Sequence, residues 1–132
     1  MDRRGFLVAA GTVGFAGCLG SASSDYDVGM SASAFLPERL TIEVGDSVVW
    51  KNTGSRAHTV TAYEALLPDG AVFFATGAFA TQREAVVAWS RSMGGAISTG
   101  ETFEHTFDVA GRHPYYCIPH ELGGMLGDII VE

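Results

Sequence analysis

Hydrophobic and polar residues alternate over several short stretches of this chain. In residues 39–44, RLTIEV, Leu40, Ile42 and Val44 share one face while Thr41 and Glu43 take the other, which is the period of a half-buried β-strand. Gly45-Asp46 signals a turn, and residues 47–52, SVVWKN, resume β-type sequence. Thr53-Gly54-Ser55 breaks that run, and residues 58–63, HTVTAY, form another. Residues 102–109 place Phe103, His105, Phe107 and Val109 opposite Glu104, Thr106 and Asp108. RHPYYC leads up to Cys117, and LGDIIVE closes the chain as a strand.

Between about Glu64 and Gly100 this rhythm weakens and glycine and alanine accumulate. AVFFA, residues 71–75, is a candidate short strand, and TQREAVVAW, residues 81–89, has helical character. Thr81 is suited to cap that helix, with Glu84 completing a capping box. Ala85, Val86 and Trp89 are spaced for one buried face. About eight short strands, a small helical insertion and no βαβ rhythm predict an all-β fold, an antiparallel sandwich.

The first residues have a different character. Arg3 and Arg4 precede an apolar run from Phe6 to Phe15, about ten residues where a bilayer span needs roughly 20. A charged start, a short apolar run and small residues after it describe an export signal. The arginine pair followed by Gly5, Phe6 and Leu7 resembles a twin-arginine signal. FAGC, residues 15–18, resembles a lipobox, with Phe15 where leucine is usual, which marks Cys18 as a lipidation site. The expected organisation is a signal over residues 1–17, a flexible tether over 18–30 and a folded domain over 31–132, although the hydrophobic pattern itself resumes near Val28.

Length and composition fit one domain with a real core: 132 residues, 47% hydrophobic. The charge is lopsided, with 15 acidic against 8 basic side chains and a net charge of −7. No basic patch is visible, which excludes nucleic acid as a partner. An acidic surface repels anionic membranes and polymers, and it is common in proteins that work in high salt.

The cysteines carry the chemistry. Exported proteins tend to pair their cysteines, but Cys18 is either lipidated or removed with the signal, so Cys117 is left alone. A lone thiol outside the cytoplasm is open to oxidation, and a metal both protects and uses it. His120 and Met125 follow Cys117 in the stretch YYCIPHELGGM. Thiolate, imidazole and thioether are donors that suit copper cycling between Cu(I) and Cu(II). Pro119 ends the strand ladder, and Gly123 and Gly124 let the chain tighten before Met125. A further imidazole must come from His58, His105 or His113. His113 lies four residues before Cys117 on an extended run, about 13 Å away. His105 sits mid-strand between two phenylalanines, as a partly buried, hydrogen-bonded histidine. His58 opens a strand directly after a turn and is the best placed of the three.

CIPHELGGM resembles the Cys-x-x-His-x-x-x-x-Met loop of cupredoxins, the small blue-copper proteins, and of plastocyanin in particular. VGDSVVWKNTGSRAHTV, residues 44–60, is similar to the segment that carries the family's first histidine ligand, and GETFEHTFDVAGRHPYYC, residues 100–117, to the approach to its cysteine. The resemblance implies a Greek-key sandwich of about eight strands. It also implies one type 1 copper held by His58, Cys117, His120 and Met125, with Met125 as the long axial ligand. Thr59 stands where the family usually has asparagine, a residue that ties the first histidine segment to the cysteine loop. Acidic charge, a twin-arginine signal and a lipobox together resemble halocyanins of salt-loving archaea.

The implied activity is single-electron transfer, with no catalysis, by a monomer docking weakly on membrane or soluble redox proteins. The implied place is the outer face of the cell membrane, held there through lipid on Cys18. A copper carrier or store is the alternative, although carriers favour exposed clusters of Cys or Met. A copper oxidase or nitrite reductase needs a second cluster of histidines that this chain does not supply. Zinc also accepts thiolate and imidazole but gains little from Met125.

Overall fold

The computed structural model describes residues 25–132. The expected signal, Cys18 and the expected tether up to residue 24 lie outside the described residues.

Among the described residues, eight strands form two four-stranded sheets. They are β1 (Val28–Met30), β2 (Phe35–Leu36), β3 (Arg39–Ile42), β4 (Ser47–Asn52), β5 (Thr61–Ala62), β6 (Thr102–Thr106), β7 (Gly111–Tyr116) and β8 (Leu126–Val131). One sheet has the order β2-β1-β4-β6 and the other β3-β8-β7-β5. The all-β sandwich is as the alternation predicts, with two corrections. Val28–Met30 is a fully buried strand, so these residues belong to the sheet and not to a tether reaching residue 30. The sandwich is also not purely antiparallel, because β1 pairs with β4, and β3 with β8, in parallel. A parallel pair needs a long crossover, and the chain supplies one each time by visiting the opposite sheet in between.

Local detail follows side-chain chemistry. In β4, Val48, Trp50 and Asn52 are buried while Ser47, Val49 and Lys51 are only partly covered. Ile42 points inward as expected, but Val44, beyond the end of β3, is 51% exposed. HTVTAY contributes only Thr61–Ala62 to a sheet. AVFFA is not a strand, although Ala75 bridges to Thr61. The inward side chain there is Phe74, which packs into the core without extended pairing.

The insertion holds one helix, α1 (Gln82–Ser92). The Thr81 hydroxyl accepts from the Glu84 amide at 3.1 Å, as a capping residue should. Glu84 reaches back one residue further than a capping box requires, to the Ala80 amide at 3.1 Å. Ala85 is the buried residue of the helix; Val86, expected on the same face, is exposed. The helix ends at Met93, which takes a left-handed conformation at φ 56°.

Trp50 lies between the sheets. Its ring is 5.5 Å from Phe103, 6.0 Å from Phe74 and 5.3 Å, edge-on, from Tyr115. Tyr115 in turn lies flat over Gly127, its partner on β8. A Cβ at Gly127 would stand inside the phenol ring, so glycine there is a packing requirement.

The two histidines remote from Cys117 have aromatic neighbours. His105 is half-buried and stacks on Phe74 at 4.6 Å. His113 is buried, meets Phe107 edge-on at 5.1 Å and places Nε2 2.8 Å from the Val109 carbonyl. Burial pushes both below the ordinary histidine value of 6.5; His113 adds to the lowering of His105, while Asp108 opposes it. Both are therefore neutral in the fold at pH values where the unfolded chain binds their protons. Stability from this source is present above about 6.5 and is lost as pH falls below it, because only the unfolded state takes up the protons. For the copper-free protein, the urea midpoint should drop between about pH 7.5 and pH 5.5, and His105→Phe should make that drop smaller. An equal drop in the variant contradicts the burial argument for His105.

Candidate metal centre

His58 is fixed by its backbone. β4 ends at the fully buried Asn52, whose Nδ2 donates to the carbonyls of Arg56 at 2.7 Å and Ile97 at 2.9 Å. Its Oδ1 accepts from the Gly54 amide at 2.9 Å, so the turn over residues 53–57 folds around one amide side chain. His58 and Ile97 then exchange backbone hydrogen bonds of 3.1 and 2.8 Å. The first histidine is thus set between the end of β4 and the end of the insertion.

The remaining donors come from the connection between β7 and β8. These strands pair up to Tyr116 opposite Leu126, and a 3-10 turn, Ile118–Gly123, closes the gap with Pro119 in its first turn. Proline costs nothing there, because the missing N–H has no helical partner. Gly124 adopts φ 89° and donates to the Glu121 carbonyl at 3.0 Å. The Cys117 amide donates to the Met125 carbonyl at 3.1 Å, and the Met125 amide to the His120 carbonyl at 3.2 Å. The backbone itself therefore gathers Cys117, His120 and Met125 into one closed loop.

Three side chains converge on a point. Cys117 Sγ lies 3.6 Å from His58 Nδ1 and 3.3 Å from His120 Nδ1. The donor atoms of all three lie within 4.8 Å of one another. With bonds of about 2.0 Å to nitrogen and 2.3 Å to sulfur, as in thiolate and imidazole sites, donors around a single ion stand about 3.3–3.7 Å apart. The two sulfur–nitrogen separations match, so the residues fit a metal. Met125 is fully buried at the other end of the same loop. The four side chains are arranged as a type 1 copper site.

Electrostatics favour neutral imidazoles and oppose a bare thiolate. Burial lowers His58, reinforced by His120 and Arg56 and opposed by the Ser31 backbone. Burial also lowers His120, again with help from Arg56. Cys117 is raised by burial, and the Thr59 amide and His120 pull against that rise. A metal cation reverses the balance at sulfur, because binding displaces the thiol proton.

Thr59 takes over the tie between the two segments. Its hydroxyl accepts from the Ile118 amide at 2.8 Å, and its own amide points at Cys117 Sγ at 3.4 Å. A hydroxyl therefore joins the segments where asparagine is usual.

Of the histidines, His58 and His120 meet the thiol, whereas His105 and His113 serve the core. Sequence reasoning gave no role to Asn52 or Ile97. Asn52 left a signal, since it is a polar residue on the inward side of an alternating strand; Ile97 left none, because its contribution is backbone alone.

Residues 22–132 match the family of copper-binding proteins described as plastocyanin/azurin. The chloroplast plastocyanin of Tetradesmus obliquus is 30% identical over 121 residues, 90% of this chain and 74% of its own length. The plastocyanin of Scenedesmus fuscus is 32% identical over 101 residues, 76% of this chain and 89% of its own length. Among solved structures, a reduced Cu(I) amicyanin variant superposes with a TM-score of 0.56 at 24% identity, covering 80% of this chain and 79% of that one. A purple cupredoxin from Nitrosopumilus maritimus gives a TM-score of 0.51 at 23% identity, covering 80% of this chain and all of that one. The sandwich is the cupredoxin fold, and the chain belongs to the copper-binding plastocyanin/azurin family.

Proposed function

We propose that this protein is a membrane-tethered electron carrier of the halocyanin type, exported by its twin-arginine signal and held at the outer face of the membrane by lipid on Cys18. The observation that carries the electron-carrier reading is the convergence of His58, Cys117 and His120 within 4.8 Å, with Met125 buried on the same loop. The tether and export readings rest on the sequence of residues 1–18.

Bound copper supplies a one-electron couple between Cu(I) and Cu(II). Cys117 would hold the ion as a thiolate, His58 and His120 through Nδ1 and Met125 through its thioether. Hydrogen bonds on both sides of the loop hold these donors in place, so little moves between oxidation states. His58 and Cys117 are sealed from solvent, while His120 is partly exposed. Around it, Leu122 is 103% exposed and Pro119 is also exposed. This apolar rim around a ligand suits brief contact of small area with a redox partner. The acidic surface favours partners with a basic face, and monovalent salt screens that attraction. A copper store is less well served by a single enclosed cysteine. The same closed donor set leaves no open position for an enzyme's substrate.

The soluble domain loaded with Cu(II) should be intensely blue and should bleach with mild reductant, and Cys117→Ser should abolish the colour. A colourless protein, or a serine variant that stays blue, refutes the type 1 assignment.

Thr59→Val should leave the Ile118 amide without its acceptor and cost about 1–3 kcal/mol in urea unfolding. Thr59→Ser should recover most of that loss. Mass spectrometry of the membrane fraction should find a mature chain beginning at diacylated Cys18; two acyl chains are enough for stable attachment. A chain beginning beyond Cys18 removes the anchor from the proposal.

A further inference from the structure

The insertion is joined to the copper loop by a continuous set of contacts. Gln82, the first residue of α1, and Glu64 hold each other through reciprocal bonds: each backbone amide donates to the other's side-chain oxygen at 3.0 Å. Gln82 Nε2 donates to the Tyr116 hydroxyl at 3.0 Å. Tyr116 is buried and stacks on Tyr63 at 4.3 Å with planes 19° apart. The Tyr63 hydroxyl donates to Glu121 Oε2 at 2.7 Å, a short charge-assisted bond. Glu121 follows His120 directly, and its carbonyl receives the Gly124 amide. At its other end the insertion pairs Ile97 with His58. Both ends of the segment over residues 64–100 therefore bear on metal-ligand segments.

We propose that α1 is a brace for the copper loop. In this arrangement Gln82 and Tyr63 are positioning residues that act on His120 through Tyr116 and Glu121. None of them lies in the ligand set, and the effect is mechanical. Glu121 is held from outside the turn, so the turn cannot unwind towards solvent without breaking the Tyr63 bond. The stack carries the restraint on to Tyr116, whose carboxyl neighbour in the chain is Cys117. The inference rests on the copper reading for its consequence, whereas the restraint itself is a property of the metal-free protein.

The test is amide hydrogen exchange on the metal-free protein, followed by the reduction potential of the copper-loaded protein. Tyr63→Phe keeps the ring and its stack and removes only the hydroxyl. Gln82→Ala releases the helix from Tyr116. Each variant should speed exchange at the amides of His120, Gly124 and Met125 by about tenfold, the effect of losing one charge-assisted bond in Tyr63→Phe and two neutral ones in Gln82→Ala. Amides in β3 and β8 should keep their wild-type rates. Glu121→Gln retains an acceptor for Tyr63 without its charge and should fall between wild type and Tyr63→Phe. The double variant should exchange more slowly than the product of the two single effects predicts, because both act on one chain of contacts.

In the loaded protein, both single variants should shift the potential in the same direction. Unchanged exchange in the loop overturns the brace. Faster exchange with an unmoved potential reduces it to a packing contact and overturns the positioning role. A protein that never takes up copper refutes the electron-carrier reading instead, and the exchange rates still decide whether the helix restrains the loop.

Discussion

The site depends on joining two stretches of chain nearly sixty residues apart, and one hydroxyl makes the central join. Thr59 accepts the Ile118 amide at 2.8 Å and directs its own amide at the Cys117 sulfur. Without that link, the first histidine and the cysteine loop would be related only through strand packing and the more distant contacts of Tyr63 with Tyr116 and Glu121. Side chains on separate elements reach bonding precision when the backbone beside them is fixed. Here the fixing is done on one side by Asn52 and Ile97, and on the other by the β7–β8 pairing and the bonds among Cys117, His120 and Met125. The donor atoms are consequently spaced for an ion by protein contacts alone.

Much of this could be read from residue patterns. The inward alternation in SVVWKN and TFEHTFDV is the observed burial of β4 and of the β6 region. The loop ligands were legible because their spacing is local, and His58 because it opens a strand after a turn. Two classes of feature were not legible. One is strand direction, since the parallel pairs β1–β4 and β3–β8 depend on which sheet the chain visits in between, and alternation is blind to that. The other is short pairing held by tertiary contacts. Val28–Met30 is only three residues long and becomes a strand through its two neighbours, and HTVTAY loses most of its strand because His58 is bridged to Ile97 instead. Val86 looks apolar enough to be buried, but α1 lies on the sandwich mainly through Ala85, leaving that side of the helix open.

The distribution of polar chemistry separates two roles for histidine in one small fold. His58 and His120 keep Nδ1 facing the thiol. His105 and His113 are surrounded by Phe74 and Phe107, and the backbone carbonyl of Val109 satisfies one nitrogen of His113. Burial disfavours the charged form in all four. The fold thereby keeps its imidazoles neutral both where they are to bind a cation and where they pack against rings.

The parallel pairing of β3 with β8 has an implication for biosynthesis. Residues 39–42 cannot find their neighbours until residues 128–131 have themselves been synthesised. Cys117, His120 and Met125 likewise emerge from the ribosome long after His58. A nascent chain therefore holds β3, an edge strand of its sheet, unpaired, and an incomplete set of donors, until residues 117–131 have appeared. Uptake of an ion by all four side chains therefore has to wait for the loop between β7 and β8, however early the segment of His58 is made.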